Sequence, residues 1–504
     1  MKKTVVIMGA GPAGLTAALE LLRKTKKYNV IIIEKDKQVG GISQTKVYKN
    51  NRIDLGGHRF FTKSQRVQNF WESILNKYDG NYITNQSLPN TIGDNLFLKR
   101  RRVSRIYYDG KFFNYPLTIN SHLIKTLGYK KTFKVAVSYC ASQLFPRPNS
   151  NLENFYINRF GKELYNTFFK NYTYNIWGKY PEDISASWGA QRVKGVSIKR
   201  IIQENWQKKF NKKYQSSETS LIETFYYPKY GPGQMWEQVQ KELETLGAKI
   251  LLNHEIVKIY NKNNKILSID CLNNNKIINI KGDIFFSSID VQTLTNKMSQ
   301  PDHNILKITS LLPYRAFVNI SILVKKLELK NNTDIKTYKS RIPDCWLYIH
   351  EKDLEVGRIQ ILNNWSPYLV KDFKNTMLIS LEYFCDENDE RFKRSTKQWQ
   401  EVAKKELVKL GFVKLNNILS STVTKVKKAY PAYFGSYKDF EIVKNYLKNF
   451  TNLYCIGRNG QHRYNNMDHS MLTAMYAIDH LLDKSKTIDD IWNVNTEEVY
   501  HEEK

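Results

Sequence analysis

The chain has 504 residues, 41% of them hydrophobic and 13% aromatic, enough apolar mass for about three domains' worth of packed core, which excludes disorder as its general state. Lys plus Arg number 78 against 48 for Asp plus Glu, a formal charge of +30 that points to anionic rather than cationic partners, although the same excess fits a chain crowded throughout with Lys, Asn, Ile and Tyr. Five scattered cysteines without a CxxC pair argue against a zinc or disulfide framework and suit a reducing compartment, the cytoplasm.

Met1-Lys2-Lys3 and the apolar run to Leu22 have the outline of a signal peptide, but three glycines interrupt the run, and no apolar stretch elsewhere reaches the roughly 20 residues a bilayer span needs. Residues 4–8 (TVVIM) instead read as a strand, 15–24 (LTAALELLRK) as a helix and Val30 to Glu34 as a second strand, the opening of a doubly wound sheet. From 62 to 225 the pattern becomes aromatic-rich and mainly helical (Arg66 to Asn76, Leu152 to Phe169), interrupted by a hairpin over 105–115 around Asp109-Gly110. Short strands return at 249–289. Residues 314–385 alternate strongly (FVNISILV, WLYIH, GRIQIL, MLISLEYF) and read as an antiparallel sheet, and LYCIG followed by a helix from about Asp468 repeats the opening logic. The expected organisation is α/β: a Rossmann-type domain from 1–61, 226–305 and 426–484, a helical insertion over 62–225, an antiparallel-sheet substrate domain over 306–425, and a tail from 485.

Gly9-Ala10-Gly11-Pro12-Ala13-Gly14 is a GxGxxG between strand and helix, with Glu34 ending the next strand. Gly9 makes the turn, Gly11 lets the backbone approach a pyrophosphate, Gly14 lets helix and strand pack, and Glu34 can bind ribose hydroxyls. Glycine pairs follow at Gly40-Gly41 and at Gly56-Gly57, the latter preceding His58.

Those pairs resemble the glutathione-reductase-type FAD fold of amine oxidases and protoporphyrinogen oxidases. Further groups narrow the likeness: Tyr172 to Trp177 with Gln191-Arg192-Val193, Trp346-Leu347-Tyr348 with Arg358, Asn364 to Pro367, Tyr430-Pro431, and Gly457-Arg458 with Arg463 to Ser470. Together they resemble UDP-galactopyranose mutase. The resemblance implies FAD held by Gly9, Gly11, Ala13, Gly14, Glu34, Lys35, Gly40, Gly41, Gly56, Gly57, His58, Val257 (by the adenine), Gly457, Arg458, Met467 and Asp468, the last two starting a helix aimed at the flavin. It also implies a nucleotide-diphosphate sugar clamped by Arg192 and Arg358 and touched by Trp177, Tyr348, Tyr430 and Tyr464. His58, Arg192 and Arg358 would be catalytic, with no metal.

The implied reaction interconverts pyranose and furanose forms for surface polysaccharide synthesis. Reduced flavin N5 is its nucleophile, and NAD(P)H is a candidate reductant. Arginines could equally hold a dicarboxylate for an FAD-dependent oxidase or desaturase, which is the alternative reading. Lys99-Arg100-Arg101-Arg102 reads as a solvated basic face, with no nucleic-acid motif around it and peripheral membrane contact as a further option. An oligomer is compatible with all of this.

Overall fold

A computed structural model describes residues 2–78, 92–115, 117, 121–186 and 224–494. The opening β-branched run forms the strand Lys3–Met8, which pairs with the next strand, Tyr28–Ile33, on one side and with the distant Ile284–Ser287 on the other. The five-stranded parallel order is Lys249–Leu251, Tyr28–Ile33, Lys3–Met8, Ile284–Ser287, Leu453–Cys455. Both faces of the sheet are covered, as an all-parallel sheet requires. Val5 and Ile7 pack beneath the helices Pro12–Lys24, Pro232–Thr245 and Met467–Leu482, while Val6 and Met8 face a core shared with the antiparallel meander Glu255–Lys262, Lys265–Asn273, Lys276–Lys281.

The second sheet has seven strands in the order Ile418–Pro431, Tyr314–Val324, Met377–Cys385, Arg358–Ile361, Trp346–Ile349, Ser104–Tyr108, Lys111–Asn114. All pairings are antiparallel except that of Trp346–Ile349 with Ser104–Tyr108. Two corrections follow. The 105–115 hairpin forms, but it is the edge of this sheet rather than an interruption of a helical insertion, and the strand Ile418–Pro431 runs across the expected boundary at 425/426. The central strand Met377–Cys385 is buried on both faces: Ile379, Leu381 and Tyr383 pack on Trp399, Ala403 and Leu407 of the helix Thr396–Lys409, and its other face turns toward the first domain.

The helix expected over Leu152 to Phe169 breaks at Gly161, which has φ +80 and would place a Cβ 2.8 Å from the Tyr139 backbone nitrogen of the helix Tyr129–Leu144. Close helix crossing, not loss of periodicity, ends that helix.

The basic run is not a solvated face. It lies on the strand Leu96–Arg101, paired with Thr224–Pro228, and alternate side chains turn inward. Arg100 is 1% exposed and donates to Asn364 O from Nε and Nη2 at 3.2 and 3.0 Å, while Arg105 grips the buried Asp344 at 2.9 and 2.5 Å. Among the described residues no helix is long and apolar enough to cross a membrane, and all five cysteines are free thiols.

Candidate functional site

At the first βα turn, Gly9 (φ +99) donates to Ile33 O at 2.8 Å, and a Cβ on Gly14 would lie 2.0 Å from Gly9 O, so strand and helix touch backbone to backbone. Gly11 precedes the helix Pro12–Lys24, and a Cβ on Gly41 would come within 3.3 Å of its Cα. Gly457 (φ +74) closes the third side, with room for no Cβ beside Ala13 (2.7 Å), and donates to Thr473 Oγ1. Three turns thus converge on one helix N-terminus, leaving a groove that a single methyl group would narrow. This is a fit to a dinucleotide pyrophosphate.

Glu34 Oε2 and Oε1 accept from the backbone N–H groups of Ala10 (2.7 Å) and Asp36 (2.9 Å); burial raises the carboxyl's pKa, and each oxygen keeps a lone pair for a ribose hydroxyl. Lys35 is exposed beside it. Val257 sits at a bulge in the strand Glu255–Lys262, whose approach is tied to Glu34 O by His254 N.

The other half of the cleft is the polar face of the second sheet. Cross-strand register places Tyr348 opposite Arg358, Arg358 opposite Glu382, and Glu382 opposite Asn319. Arg358 Nε lies 2.8 Å from Glu382 Oε2, an ion pair rather than a well-aligned hydrogen bond, and Arg358 Nη2 donates to Tyr430 Oη at 3.1 Å. Gln360 Nε2 holds the other Glu382 oxygen at 2.6 Å. The guanidinium lies 4.8 Å from the Trp346 ring and 4.4 Å from Phe384. Burial opposes this charge, but Glu382 beside it keeps Arg358 well above its ordinary range; burial in turn raises Glu382. Tyr430 stacks on Tyr464 (5.6 Å, 17°), and burial pushes the Tyr430 phenol up to about 12.

Facing this wall across a cavity of about 260 Å³ are Gly56, Gly57, His58, Arg458, Met467 and Asp468. A Cβ on Gly57 would strike the Trp346 ring at 2.3 Å, which is why a glycine stands there. His58 Nε2 donates to Leu55 O at 3.0 Å; burial, with Arg458 adding to it, pushes the imidazole down to about 4, so the ring is neutral at pH 7. The helix Met467–Leu482 has Asn466 as its cap, and Asn466 N–H donates to His469 Nδ1 at 3.3 Å. Asp468 lies in its first turn.

Of the residues singled out from the sequence, Gly56, Gly57, His58, Tyr348, Arg358, Tyr430, Arg458, Tyr464, Met467 and Asp468 meet on this cavity. Trp177 does not line it. It is buried in the helical layer 6.1 Å from the Tyr464 ring. Arg192 lies outside the described residues. Arg458 is engaged elsewhere than expected: Nε and Nη2 donate to Asn465 O and Nη1 to Ala429 O, so it fastens the 459–465 loop against the end of the second sheet. Sequence reasoning missed Glu382 and gave Asp54 no role, whereas Trp346 belongs to the group the sequence had singled out. The polar positions alternating in Ile379-Ser380-Leu381-Glu382-Tyr383 were the available signal for the first.

Asp54, fully buried just before Leu55, accepts from Thr45 Oγ1 at 2.9 Å and from Tyr227 Oη, and Thr45 Oγ1 in turn accepts from Gly233 N. No cation pairs with it among the described residues, and burial pushes its pKa from 3.8 up to about 8. A raised folded-state value means that the stability it contributes is present in full below 3.8 and is lost as pH rises to about 8. Asp54→Asn removes that dependence. Urea unfolding at a series of pH values should show the variant gaining on the parent by up to about 1.4 kcal/mol per pH unit across that window, then levelling off. Parallel curves would contradict it.

Comparison with known proteins agrees with this layout. The NAD(P)-binding Rossmann-like domain family matches residues 7–74. A probable UDP-galactopyranose mutase from Klebsiella pneumoniae is 26% identical over 221 residues, 42% of this chain and 49% of that one, so the chain spans about half the length of the curated relative it matches. The fold is that of a crystal structure of reduced UDP-galactopyranose mutase, with a TM-score of 0.78 over 98% of this chain and 99% of that one at 21% identity. A putative protoporphyrinogen oxidase from Exiguobacterium sp. 255-15 is similar at TM-score 0.68 and 13% identity, over 95% and 99% of the two chains. The expected resemblance and the α/β fold class stand.

Proposed function

We propose that the protein is an FAD-dependent nucleotide-sugar mutase that interconverts pyranose and furanose rings of a UDP-linked sugar for surface polysaccharide synthesis. The observation that carries this reading is the row Tyr348, Arg358 and Tyr430, with Tyr464 stacked behind, facing the Gly56 to His58 loop across one cavity. A diphosphate sugar needs guanidinium groups for its phosphates, phenols for its oxygens and aromatic faces beside them, and this wall supplies all three.

FAD fits the groove between Gly11, Gly41 and Gly457, with Glu34 on a ribose; bound and reduced, it supplies a nucleophilic nitrogen for the anomeric carbon. The chain's own residues do the rest. Arg358 stabilises charge on the departing diphosphate, and its ion pair with Glu382, poorly aligned as a hydrogen bond, lets it turn toward a phosphate without losing its counter-charge. Tyr430 donates alongside it. Arg192 is proposed as the second cation of the clamp. The N-terminus of the helix Met467–Leu482 borders the cavity and favours negative charge there. Neutral His58 orders its turn and presents no charge to the reacting face.

The test is conversion of UDP-galactopyranose by the FAD-loaded protein, reduced and oxidised, with ring size read by NMR. Furanose product is expected from the reduced sample alone. Absence of conversion by either form, with UDP failing to bind, would overturn the reading.

A further inference from the structure

Arg59, which follows His58 on the loop facing the sheet, lines the cavity and has no carboxylate partner among the described residues. Its Nη2 donates to Ser104 Oγ at 3.0 Å, and its Nε is buried without an acceptor. Its guanidinium carbon lies 5.6, 5.6 and 5.5 Å from the rings of Phe225, Trp346 and Trp365. The backbone next to it is pinned, since Phe60 N and O both pair with Tyr226. The cation is thus held in one place, desolvated on its aromatic side and short of a counter-charge.

The other charges of the cleft are differently engaged. Arg358 is balanced by Glu382, Arg458 donates three hydrogen bonds to the carbonyl oxygens of Asn465 and Ala429, and Asp468 lies in the first turn of the helix Met467–Leu482. Arg102 lines the same cavity as Arg59. Trp346 stands between the two functions: Arg358 lies 4.8 Å from its ring and Arg59 5.6 Å.

We propose that Arg59 is an anion subsite for the sugar end of the substrate, so that the preferred substrate is a nucleotide sugar carrying a carboxylate on its ring. The inference rests on the nucleotide-sugar reading and narrows it. Arg358, with Tyr430, serves the diphosphate. Arg59 sits beside the Gly56 to His58 loop, where the sugar must lie if its anomeric carbon is to reach the flavin, and an anion bound there belongs to the sugar. A planar guanidinium fixed by its surroundings is suited to a carboxylate.

The experiment is isothermal titration of the FAD-loaded, oxidised protein with UDP-galacturonate, UDP-galactose and UDP, for the parent, Arg59→Gln and Arg59→Lys, with flavin content and thermal unfolding recorded for each. The parent is expected to bind UDP-galacturonate about tenfold or more tightly than UDP-galactose. Arg59→Gln should erase that preference while leaving UDP and UDP-galactose within about twofold of the parent, and Arg59→Lys should keep part of it. A parent without the preference would overturn the proposal. So would an equal loss for all three ligands in Arg59→Gln, which would place the contact on the diphosphate, or a lowered unfolding temperature with the preference intact, which would make Arg59 a packing cation. If the parent bound none of the three, the nucleotide-sugar reading would fall and this inference with it.

Discussion

Glu382→Ala is expected to lower the free energy of unfolding by about 3–5 kcal/mol, the range for removing one partner of a buried ion pair. Glu382 is fully buried at the centre of the second sheet, with Arg358 as its cross-strand neighbour on one side and Asn319 on the other. Truncation leaves the Arg358 guanidinium, 13% exposed, between Trp346 and Phe384 with no counter-charge, and frees Gln360 from its 2.6 Å bond. Glu382→Gln keeps the shape and removes only the charge, and should cost about 1–3 kcal/mol. Denaturant titration orders the three proteins. Equal midpoints for parent and Glu382→Ala would mean that the pair contributes nothing.

Two glycine substitutions in the first turn are expected to separate cofactor binding from folding. Gly11 has an ordinary φ of −79, and a Cβ there would meet only Gly41 Cα at 3.9 Å, so Gly11→Ala should fold with an unchanged unfolding temperature when free of cofactor. Its methyl group stands in the groove between the two turns, and bound flavin per chain should fall more than about tenfold, since the backbone can no longer approach the pyrophosphate. Gly14→Ala places a Cβ 2.0 Å from Gly9 O and 3.1 Å from Ile7 Cγ2, contacts that only a shift of the helix relieves. It should lose both the flavin and about 1–3 kcal/mol of stability. Flavin absorbance and thermal unfolding of the cofactor-free proteins measure the two effects; a Gly11→Ala protein that retains its flavin would show that no pyrophosphate lies there.

What could be read from the chain alone was what local pattern encodes. The strand Lys3–Met8, its glycine turn and the helix Pro12–Lys24 lie within one short stretch, and the period-two alternation of 314–385 marked the strands of the second sheet. Lys99 to Arg102 misled because alternation along the strand turns Arg100 inward, and the acceptor waiting for it, Asn364 O, is 264 positions away in the chain. Glu382 was hidden for a related reason. A polar residue alternating with apolar ones ordinarily faces solvent, whereas Met377–Cys385 is covered on both sides and its polar face opens into the cleft. Asp54 reads in sequence as a surface acid before a glycine pair; only the closing of Tyr227, Thr45 and Gly233 around it makes it a buried one. Arg458 was found by its place beside Gly457, but its carbonyl partners Ala429 and Asn465 depend on how the second sheet ends against the first domain.

Product formed per reducing equivalent is the most direct measure of whether this cleft isomerises or oxidises its substrate. The FAD-loaded protein would be reduced once with a counted amount of dithionite under anaerobic conditions and supplied with excess UDP-galactopyranose and, separately, UDP-galacturonate. Many molecules of ring-isomerised product per electron pair, with the flavin still reduced at the end, is the expected result. Product no greater than the electron pairs supplied, or reoxidation of the flavin in step with substrate consumption, would contradict it and assign the cleft to an oxidoreductase.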